Sequence, residues 1–266
     1  MSDTYALVTG SSGGLGAEIA SCLARLHARN VIVSGRSEQR LRPVVERLAR
    51  ENPAIKAIAL PADLSEMDGA SRLFAQIAER GLVVDELVNN AGASAPGSAL
   101  DLDTGVVRSE IVLDYISGVT LTMLFLHHLR EHGTQAGRVI QILSMAARFH
   151  AMPNFAHYNS AKKAFDAYTK GVEYETRRAG VAVAFHRVYP GAISGTKIAT
   201  SGITEKNKGI ALTAAQVADA IVRASRQGKR VIIPGFVNKL AYIAAPIVPQ
   251  FITDRAFYKT YGEANS

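Results

Sequence analysis

The sequence predicts an α/β fold, in which a doubly wound parallel sheet of about seven strands carries helices on both faces. Short apolar runs rich in β-branched residues recur along the chain, as in strands that are buried on both faces. They occupy residues 5–9, 31–34, 55–60, 87–89, 139–143, 181–188 and 231–233. Segments with helical spacing lie between them, over residues 15–29, 40–50, 71–80, 106–131, 161–178 and 214–226. This alternation predicts parallel strands joined by right-handed crossovers.

Length and composition fit a single globular unit. The chain has 266 residues, of which 48% are hydrophobic and 20% are charged. Folds of the α/β class with roughly 250 residues routinely form one unit around a large core. Because no repeat or long Pro/Gly-rich linker marks a boundary, we predict one domain over residues 1–266, with 235–266 as a variable C-terminal segment at the substrate side or at an interface.

The charge balance is basic, with 30 Lys and Arg against 23 Asp and Glu and a formal net charge of +7. A polyanion could use such a charge. However, the sequence has no basic run interleaved with aromatics, no zinc-finger spacing and no Trp, so we predict no nucleic-acid partner. The chain starts MSDTYALVTG, which lacks the basic start and apolar stretch of a secretory signal, and we therefore expect a cytoplasmic protein.

Neither cysteine nor histidine spacing predicts a metal site. Cys22 is the single cysteine and falls in an apolar helical pattern, so we expect it in the core. His128 and His132 are four residues apart near the end of a long helical segment, but no third ligand is evident beside them. We expect no bound metal.

A glycine-rich turn separates the first predicted strand from the first predicted helix. Residues 9–16 read TGSSGGLG. Glycines let the backbone approach a diphosphate closely, and the helix that follows directs unpaired N–H groups and its positive dipole end at that anion. The position of this turn in a repeating βα chain predicts a Rossmann-type dinucleotide site. The residues that we expect to form it are Gly10, Ser11, Ser12, Gly14, Leu15 and Gly16.

The same turn also matches GxSxG, in which Ser12 would be a hydrolase nucleophile. Such an elbow needs an upstream strand that carries oxyanion donors, and an acid and a histidine downstream. Only nine residues precede Gly10, which leaves no room for the upstream strand. The hydrolase interpretation is therefore disfavoured.

Arg36 indicates which dinucleotide is bound. The second predicted strand ends in Ser34, Gly35 and Arg36. Sites that prefer NAD place an acid near this point to bind the ribose hydroxyls, whereas Gly35 leaves room and Arg36 offers a planar charged fork for the extra phosphate of NADP. We predict NADP(H) as the cofactor, with NAD(H) less favoured; a solvated surface arginine is the alternative role for Arg36.

Tyr158 and Lys162 are the candidate proton-transfer pair. Four residues separate them on a predicted helix, which puts both side chains on one face. An ammonium beside a phenol stabilises the phenolate and lowers a pKa that starts near ~10. We therefore expect Tyr158 to act as an acid or base near neutral pH, which fits carbonyl reduction.

The ordered motifs resemble those of the short-chain dehydrogenase/reductase family over roughly residues 4–234. They are the turn at 9–16, Asp63-Leu64 after the third strand, Asn89 to Gly92 after the fourth, Tyr158 with Lys162, and Pro190-Gly191 after the sixth. The resemblance implies that Lys162 also holds the nicotinamide ribose. It further implies that these residues line the cofactor: Asp63, Leu64, Asn90, Ala91, Gly92, Pro190, Gly191 and Ile193.

Two positions depart from the family pattern. The catalytic serine normally lies thirteen residues before the tyrosine, where this chain has Met145, and only the preceding Ser144 remains. A methionine donates no hydrogen bond, and strand alternation would turn Ser144 to the opposite side. The family motif Asn-x-x-Gly, aligned on Gly118, places Tyr115 where an asparagine usually anchors a relay water.

Three explanations of these departures stay open. A rearranged strand end could let Ser144 serve, Tyr115 could supply the missing hydroxyl, or the substrate could need no serine. The candidate catalytic residues are thus Tyr158, Lys162, Ser144 and Tyr115. Losing one oxyanion donor costs about a hundred- to a thousand-fold in rate, which slows hydride transfer without abolishing it.

The loop before Tyr158 predicts an apolar substrate pocket. In the family this loop lines the pocket, and here it contributes Met145, His150 and Phe155. We therefore expect a hydrophobic small molecule as the substrate. The segment 240–252, LAYIAAPIVPQFI, is too short and too Pro-broken for the roughly 20-residue membrane span. It could cap this pocket or touch a membrane surface, but packing on its own core or on another subunit is favoured.

The sequence as a whole predicts an NADP(H)-dependent oxidoreductase that reduces a carbonyl or oxidises the alcohol, with Tyr158 as general acid/base assisted by Lys162. An imine or conjugated-alkene reductase of the same fold is one alternative. A non-catalytic dinucleotide-binding or scaffold protein is the other. The resemblance implies assembly into a homodimer or homotetramer.

Overall fold

A seven-stranded parallel sheet forms the centre of the molecule. The computed structural model describes residues 4–134, 136–194, 211–253 and 255. Its strands are β1 (Thr4–Thr9), β2 (Asn30–Gly35), β3 (Ala57–Pro61), β4 (Val83–Asn89), β5 (Gly137–Ile142), β6 (Val183–Val188) and β9 (Val231–Ile232). The sheet order is β3-β2-β1-β4-β5-β6-β9, and every pairing in it is parallel. Each of the seven lies within a few residues of a predicted strand.

Two short strands form a small second sheet. They are β7 (Ile193–Ser194) and β8 (Leu212–Thr213), which pair in parallel. The sequence analysis did not predict them, because two-residue strands leave no alternating pattern to detect.

Helices cover both faces of the sheet. They are α1 (Gly14–His27), α2 (Glu38–Glu51), α3 (Gly69–Glu79), α4 (Thr104–Ile111), α5 (Ser117–Glu131), α6 (Ala156–Arg178), α7 (Ala214–Arg226) and α8 (Phe236–Ala244). A π-helical turn, Val112–Ile116, joins α4 to α5, and a 3₁₀ helix, Met145–Arg148, follows β5. The one long helix predicted over 106–131 is therefore a helix, a π turn and a second helix.

Side-chain alternation along β1 divides the core into two layers. Ala6 and Val8 pack beneath α1, α2 and α7, whereas Tyr5 and Leu7 pack beneath α3, α5 and α6. Cys22 lies buried in the first layer, as expected from its helical pattern. The structure thus confirms the predicted doubly wound α/β architecture.

The strand order locates the site. The chain runs outward from β1 through β2 to β3, then returns to the other side of β1 to form β4 and β5. The crossovers diverge at this point, so a crevice opens beyond the carboxyl ends of β1 and β4. The glycine-rich turn and the segment after β4 both lie at this edge.

One helical stretch passes a membrane-span test by length and composition alone. Thr104–Glu131 has 28 residues and a mean hydropathy of 1.4, with 44% of the most apolar window buried. Its α5 part packs against β4 and α3 inside the fold. Since less than half of the window is buried, packing inside the fold accounts for only part of its apolar character.

The C-terminal segment exposes much of its apolar surface. Of the predicted segment 235–266, residues 254 and 256–266 lie outside the described part of the chain. Tyr242 of α8 packs against Tyr189 and beneath the Arg148 guanidinium. The large apolar side chains that stay exposed are Phe236, Val237, Leu240, Ile243, Ile247, Phe251 and Ile252. The sequence analysis favoured packing of residues 240–252 on the core or on another subunit. In the structure, the core covers only one side of this segment.

Candidate active site

Glycines let the β1–α1 turn lie directly against the backbone that follows β4. Gly10 has φ 63°, and a Cβ there would come within 2.7 Å of the Ala91 Cα. A Cβ at Gly16 would lie 2.5 Å from the Gly10 carbonyl oxygen. Larger residues are therefore excluded at both positions. Above Gly13, by contrast, a Cβ would meet nothing within 4 Å, so the turn is open on its outer side.

The amino end of α1 is free to bind an anion. Gly13 caps the helix and provides no side chain to satisfy the first N–H groups. These groups and the helix dipole face the open side of the turn, beside Gly14. A diphosphate fits both the space and the charge, so the residues present suit a nicotinamide dinucleotide.

Some residues predicted to bind the cofactor support the turn instead. The Ser11 hydroxyl donates to the carbonyl oxygens of Val8 and Ser34, and it accepts the N–H of Ser34. Leu15 is buried in the core layer beneath α1. Ser12 is partly exposed and lies next to Gly35, on the side of β2. Ser11 and Leu15 therefore stabilise the turn through their contacts with β1, β2 and the core.

Hydrogen bonds between neighbouring strand ends join the glycine-rich turn to the segment after β4. The Thr9 hydroxyl accepts the backbone N–H groups of Asn90 and Ala91, both at 3.0 Å. The Asn90 side-chain amide donates to the carbonyl oxygen of Thr9 at 2.9 Å. Asn90 thus contributes to the site by fixing the position of the glycine-rich turn. The sequence analysis did not single out Thr9 for this role, which depends on the neighbouring strand.

Arg36 and Asp63 lie together at the outer end of the crevice. Arg36 is exposed where β2 ends, and Asp63 lies just past β3, with Leu64 buried behind it. Burial raises the pKa of the Asp63 carboxyl, but hydrogen bonds from Ser65 and the charges of Arg36 and Arg72 outweigh burial and lower it overall. The predicted adenine-end residues are therefore brought together, with Arg36 projecting into solvent.

Tyr158 and Lys162 share one face of α6, as predicted, and both are buried. The Lys162 ammonium lies 5.7 Å from the centre of the Tyr158 ring. Burial raises the pKa of Tyr158, and the Lys162 charge opposes that rise without cancelling it. The pKa of Tyr158 is therefore raised overall, and not lowered as expected, because a fully buried phenolate loses its solvation. Tyr158 is accordingly held as the neutral phenol, the proton-donating form.

Ser144 is the serine that reaches Tyr158. Its hydroxyl lies within hydrogen-bonding reach of the Tyr158 oxygen, where it lowers the pKa of the phenol, and it accepts the N–H of Ala146 at 3.1 Å. The expected strand alternation does not turn it away, because β5 ends at Ile142 and a 3₁₀ helix begins at Met145. The first explanation of the missing serine, a rearranged strand end, is the one that this geometry favours.

Met145 and Tyr158 pack in different apolar clusters. The Met145 side chain packs in an apolar cluster with Leu143, Phe165 and Tyr189. Its backbone N–H donates to the Pro190 carbonyl oxygen at 3.0 Å, which fastens the 3₁₀ helix to the end of β6. Met145 was predicted to line the substrate pocket, but the structure places it in the core behind the site.

Asp114, and not Tyr115, is the residue of this helix that reaches Lys162. The Asp114 Oδ1 lies 3.0 Å from the Lys162 Nζ. Tyr115 packs in the apolar cluster of Met145 instead. The alignment assumed a residue three positions before Gly118. However, the π-helical turn holds five residues in a wider turn and presents the residue four positions before it.

The other predicted pocket residues differ in exposure. His150 is exposed, and its carbonyl oxygen accepts a hydrogen bond from Lys163. Phe155 is buried beside Met152 and Tyr158 and forms an apolar wall behind the phenol. Asn159, which the sequence analysis missed, donates to the Ala146 carbonyl oxygen at 2.6 Å and so ties the 3₁₀ helix to α6.

The segment after β6 closes the far side of the site. Pro190 binds the 3₁₀ helix as described, and a Cβ at Gly191 would lie 2.3 Å from the Asn238 Oδ1 of α8. Ile193 begins β7 and is half-buried. These residues lie where the resemblance places the nicotinamide end. In the described part of the chain, no group of three His, Cys, Asp or Glu residues is arranged to hold a metal.

Comparisons with known proteins agree with this architecture. The family model for short chain dehydrogenase matches residues 4–207. A Dictyostelium discoideum protein described as "Dehydrogenase/reductase SDR family protein 7-like" is 28% identical over 92% of this chain and 78% of its own length. A ketoacyl reductase of Nostoc sp. is 31% identical over 82% of this chain and 74% of its own. The chain spans only 56% to 59% of several other relatives.

A solved structure shares the fold at low identity. The short-chain dehydrogenase of Sphingobium yanoikuyae in complex with NADPH superposes with a TM-score of 0.78 at 21% identity, over 94% of this chain and 95% of its own. The family model and the ordered motifs agree with the geometry. The chain therefore belongs to the short-chain dehydrogenase/reductase family of oxidoreductases.

Proposed function

We propose that this protein is an NADP(H)-dependent reductase that converts a carbonyl of an apolar small molecule to the alcohol, or the reverse. The observation that carries the proposal is the grouping of Tyr158, Lys162 and the Ser144 hydroxyl on one side of the glycine-rich crevice. This set includes an acid, a cation that stabilises its conjugate base, and a second hydroxyl for the substrate oxygen.

The mechanism follows from these side chains. A bound nicotinamide supplies the hydride for reduction or accepts it for oxidation. Tyr158, held as the neutral phenol, gives its proton to the substrate oxygen while the Lys162 ammonium stabilises the phenolate that remains. Ser144 donates a hydrogen bond to the same oxygen, so the negative charge that develops there meets two donors.

Preference for NADP(H) is the part of the proposal that depends on Arg36. Its guanidinium is exposed where β2 ends, and the neighbouring Gly35 leaves space beside it. A 2′-phosphate at this place would pair with a planar fork of donors. The NADPH complex of the Sphingobium yanoikuyae enzyme is consistent with this choice.

The proposal also specifies that the substrate is apolar. The wall behind Tyr158 is formed by Phe155 and Met152, and Phe149 packs against it. A buried, apolar wall next to a few polar groups is the usual character of a small-molecule site. The ketoacyl reductase of Nostoc sp. acts, by its description, on a ketone of an acyl chain, which is the class of substrate that we expect here.

The assembly and location of the protein are also proposals. We expect a homodimer or homotetramer in the cytoplasm, with contact to a membrane surface through residues 240–252 as an alternative for that segment. The exposed apolar side chains of α8 favour an interface there.

The experiment is NADPH oxidation, with an NADH control, across hydrophobic ketones, diketones, imines and enones. Wild type is compared with Tyr158→Phe, which keeps the ring and loses the proton. Turnover with ketones that disappears in the variant supports the reductase. Turnover with only imines or enones selects the alternative chemistry. NADPH binding without any turnover on the panel selects a dinucleotide-binding protein.

A further inference from the structure

A buried carboxylate is paired with the ammonium that serves the reactive phenol. Asp114 and Lys162 have side-chain exposures of 0% and 5%, and Oδ1 lies 3.0 Å from Nζ. The Lys162 ammonium also donates to the Ile142 carbonyl oxygen at 3.4 Å. The charge that is expected to stabilise the Tyr158 phenolate is therefore already partly neutralised.

The backbone after β4 closes over this pair. A Cβ at Gly92 would lie 2.6 Å from the Asp114 Oδ1 and 3.3 Å from the Lys162 Nζ. Burial raises the pKa of the Asp114 carboxyl overall, and the Lys162 charge and the nearby backbone N–H of Ala93 oppose that rise. Only a glycine lets the chain pass this close, so water is kept from the ion pair and the two charges act on each other in a low-dielectric surrounding.

A second carboxylate is paired with a side chain of α6 one turn away. The Glu110 carboxylate of α4 lies 2.9 Å from His157 Nε2 of α6, and both side chains are largely buried. Within the described residues, two charged side chains act on the pKa of Asp114: the Lys162 ammonium lowers it and the Glu110 carboxylate raises it. Two carboxylates thus face α6 from the same helical segment, but only Asp114 pairs with the ammonium beside Tyr158.

We propose that Asp114 is a positioning residue that fixes the Lys162 ammonium beside Tyr158, and that its negative charge sets the pH range over which Tyr158 keeps its proton. This inference rests on the proposed function, because it assigns Tyr158 as the proton donor. The resemblance implies a neutral asparagine in this part of the helix, whereas this chain places the Asp114 carboxylate against Lys162.

The electrostatic argument has two parts. Burial alone would lower the pKa of Lys162, but Asp114 and, to a smaller extent, Tyr158 together outweigh burial and raise it, so the lysine stays protonated. The Asp114 charge also raises the pKa of Tyr158, in the same direction as burial. An amide in place of the carboxylate would leave the ammonium charge uncompensated, and the phenolate would then form more easily.

The test compares Asp114→Asn with wild type and with Glu110→Gln, the matched loss of a carboxylate one turn away. The ionisation of Tyr158 is measured as the ultraviolet tyrosinate titration of each protein minus that of its Tyr158→Phe counterpart, with no substrate. We expect Asp114→Asn to move this ionisation down by about one pH unit. Glu110→Gln should move it less, because Glu110 pairs with His157. Asp114→Ala removes the same charge and serves as a second variant.

Turnover gives an independent measurement. With a substrate from the panel, reduction by Asp114→Asn should fail at a pH about one unit lower than in wild type, since the phenol loses its proton earlier. An unshifted titration in both Asp114 variants would overturn the inference. Absence of turnover in wild type would overturn the proposed function instead, while the titration would still decide the role of Asp114.

Discussion

The side-chain amide of Asn90 donates a hydrogen bond of 2.9 Å to the carbonyl oxygen of Thr9. Since Thr9 ends β1 and Asn90 follows β4, this bond joins the glycine-rich turn to the strand beside it. The Thr9 hydroxyl completes the connection by accepting the N–H of Asn90. The position of the turn is thus fixed by neighbours that are distant in sequence.

Asn90→Ala should loosen the turn and weaken NADPH binding. Leaving the Thr9 carbonyl without its donor should lower the free energy of unfolding by about 1 to 3 kcal/mol. Asn52→Ala is the matched control, because its amide donates to the Ala24 carbonyl oxygen at the same 2.9 Å, outside the crevice. Chemical denaturation and NADPH fluorescence titration separate the two effects. Equal NADPH affinity in both variants would contradict the role of Asn90.

Replacing Arg36 by glutamate should reverse the cofactor preference. A guanidinium–phosphate pair that is lost costs about 1.5 to 3 kcal/mol, so kcat/KM for NADPH should fall at least tenfold while that for NADH is kept. Arg80→Glu makes the same charge change at the C-terminal end of α3, at the opposite edge of the sheet. If the ratio of NADPH to NADH activity is the same in both variants, Arg36 does not select the cofactor.

Ser144→Ala should reduce kcat by about a hundred- to a thousand-fold, because one donor to the substrate oxygen is removed. Ser160→Ala is a suitable control, since that exposed hydroxyl on α6 donates only to backbone carbonyl oxygens. Steady-state kinetics with a reducible ketone measure the effect. A kcat close to wild type would mean that Ser144 has no part in the reaction.

Met145→Ala should lower stability more than rate. The side chain fills a buried cluster with Leu143 and Phe165, and its truncation should cost about 2 to 5 kcal/mol of unfolding free energy. Met123→Ala, at a methionine that is 49% exposed, should cost far less. Guanidinium denaturation of both variants gives the comparison. A drop in kcat at unchanged stability would instead place Met145 at the substrate.

Patterning predicted the regular part of the fold well. The helix predicted over 214–226 from its apolar spacing has the same bounds in the structure, where a Thr213 capping box closes its first turn. The glycine-rich turn was equally clear, since its glycines are required by close backbone contacts. In such segments local sequence and tertiary structure agree.

The parts of the site that were mispredicted depend on irregular backbone. Tyr115 was assigned by counting along a regular helix, and a π turn leaves no signal in apolar spacing. Ser144 was expected to point away because the strand was predicted to continue to 143, whereas it ends at Ile142. Placing the family's asparagine position one residue earlier, at Asp114 and not at Tyr115, would have identified the partner of Lys162.

The strand order separates two properties of this protein. Arg36 follows β2, on one side of β1, whereas Ser144 follows β5, two strands away on the other side. Substitutions at one place therefore leave the packing of the other unchanged. Under the proposed roles, the cofactor preference could be changed at Arg36 without altering the reaction, and the substrate could be changed near Ser144 without altering the cofactor.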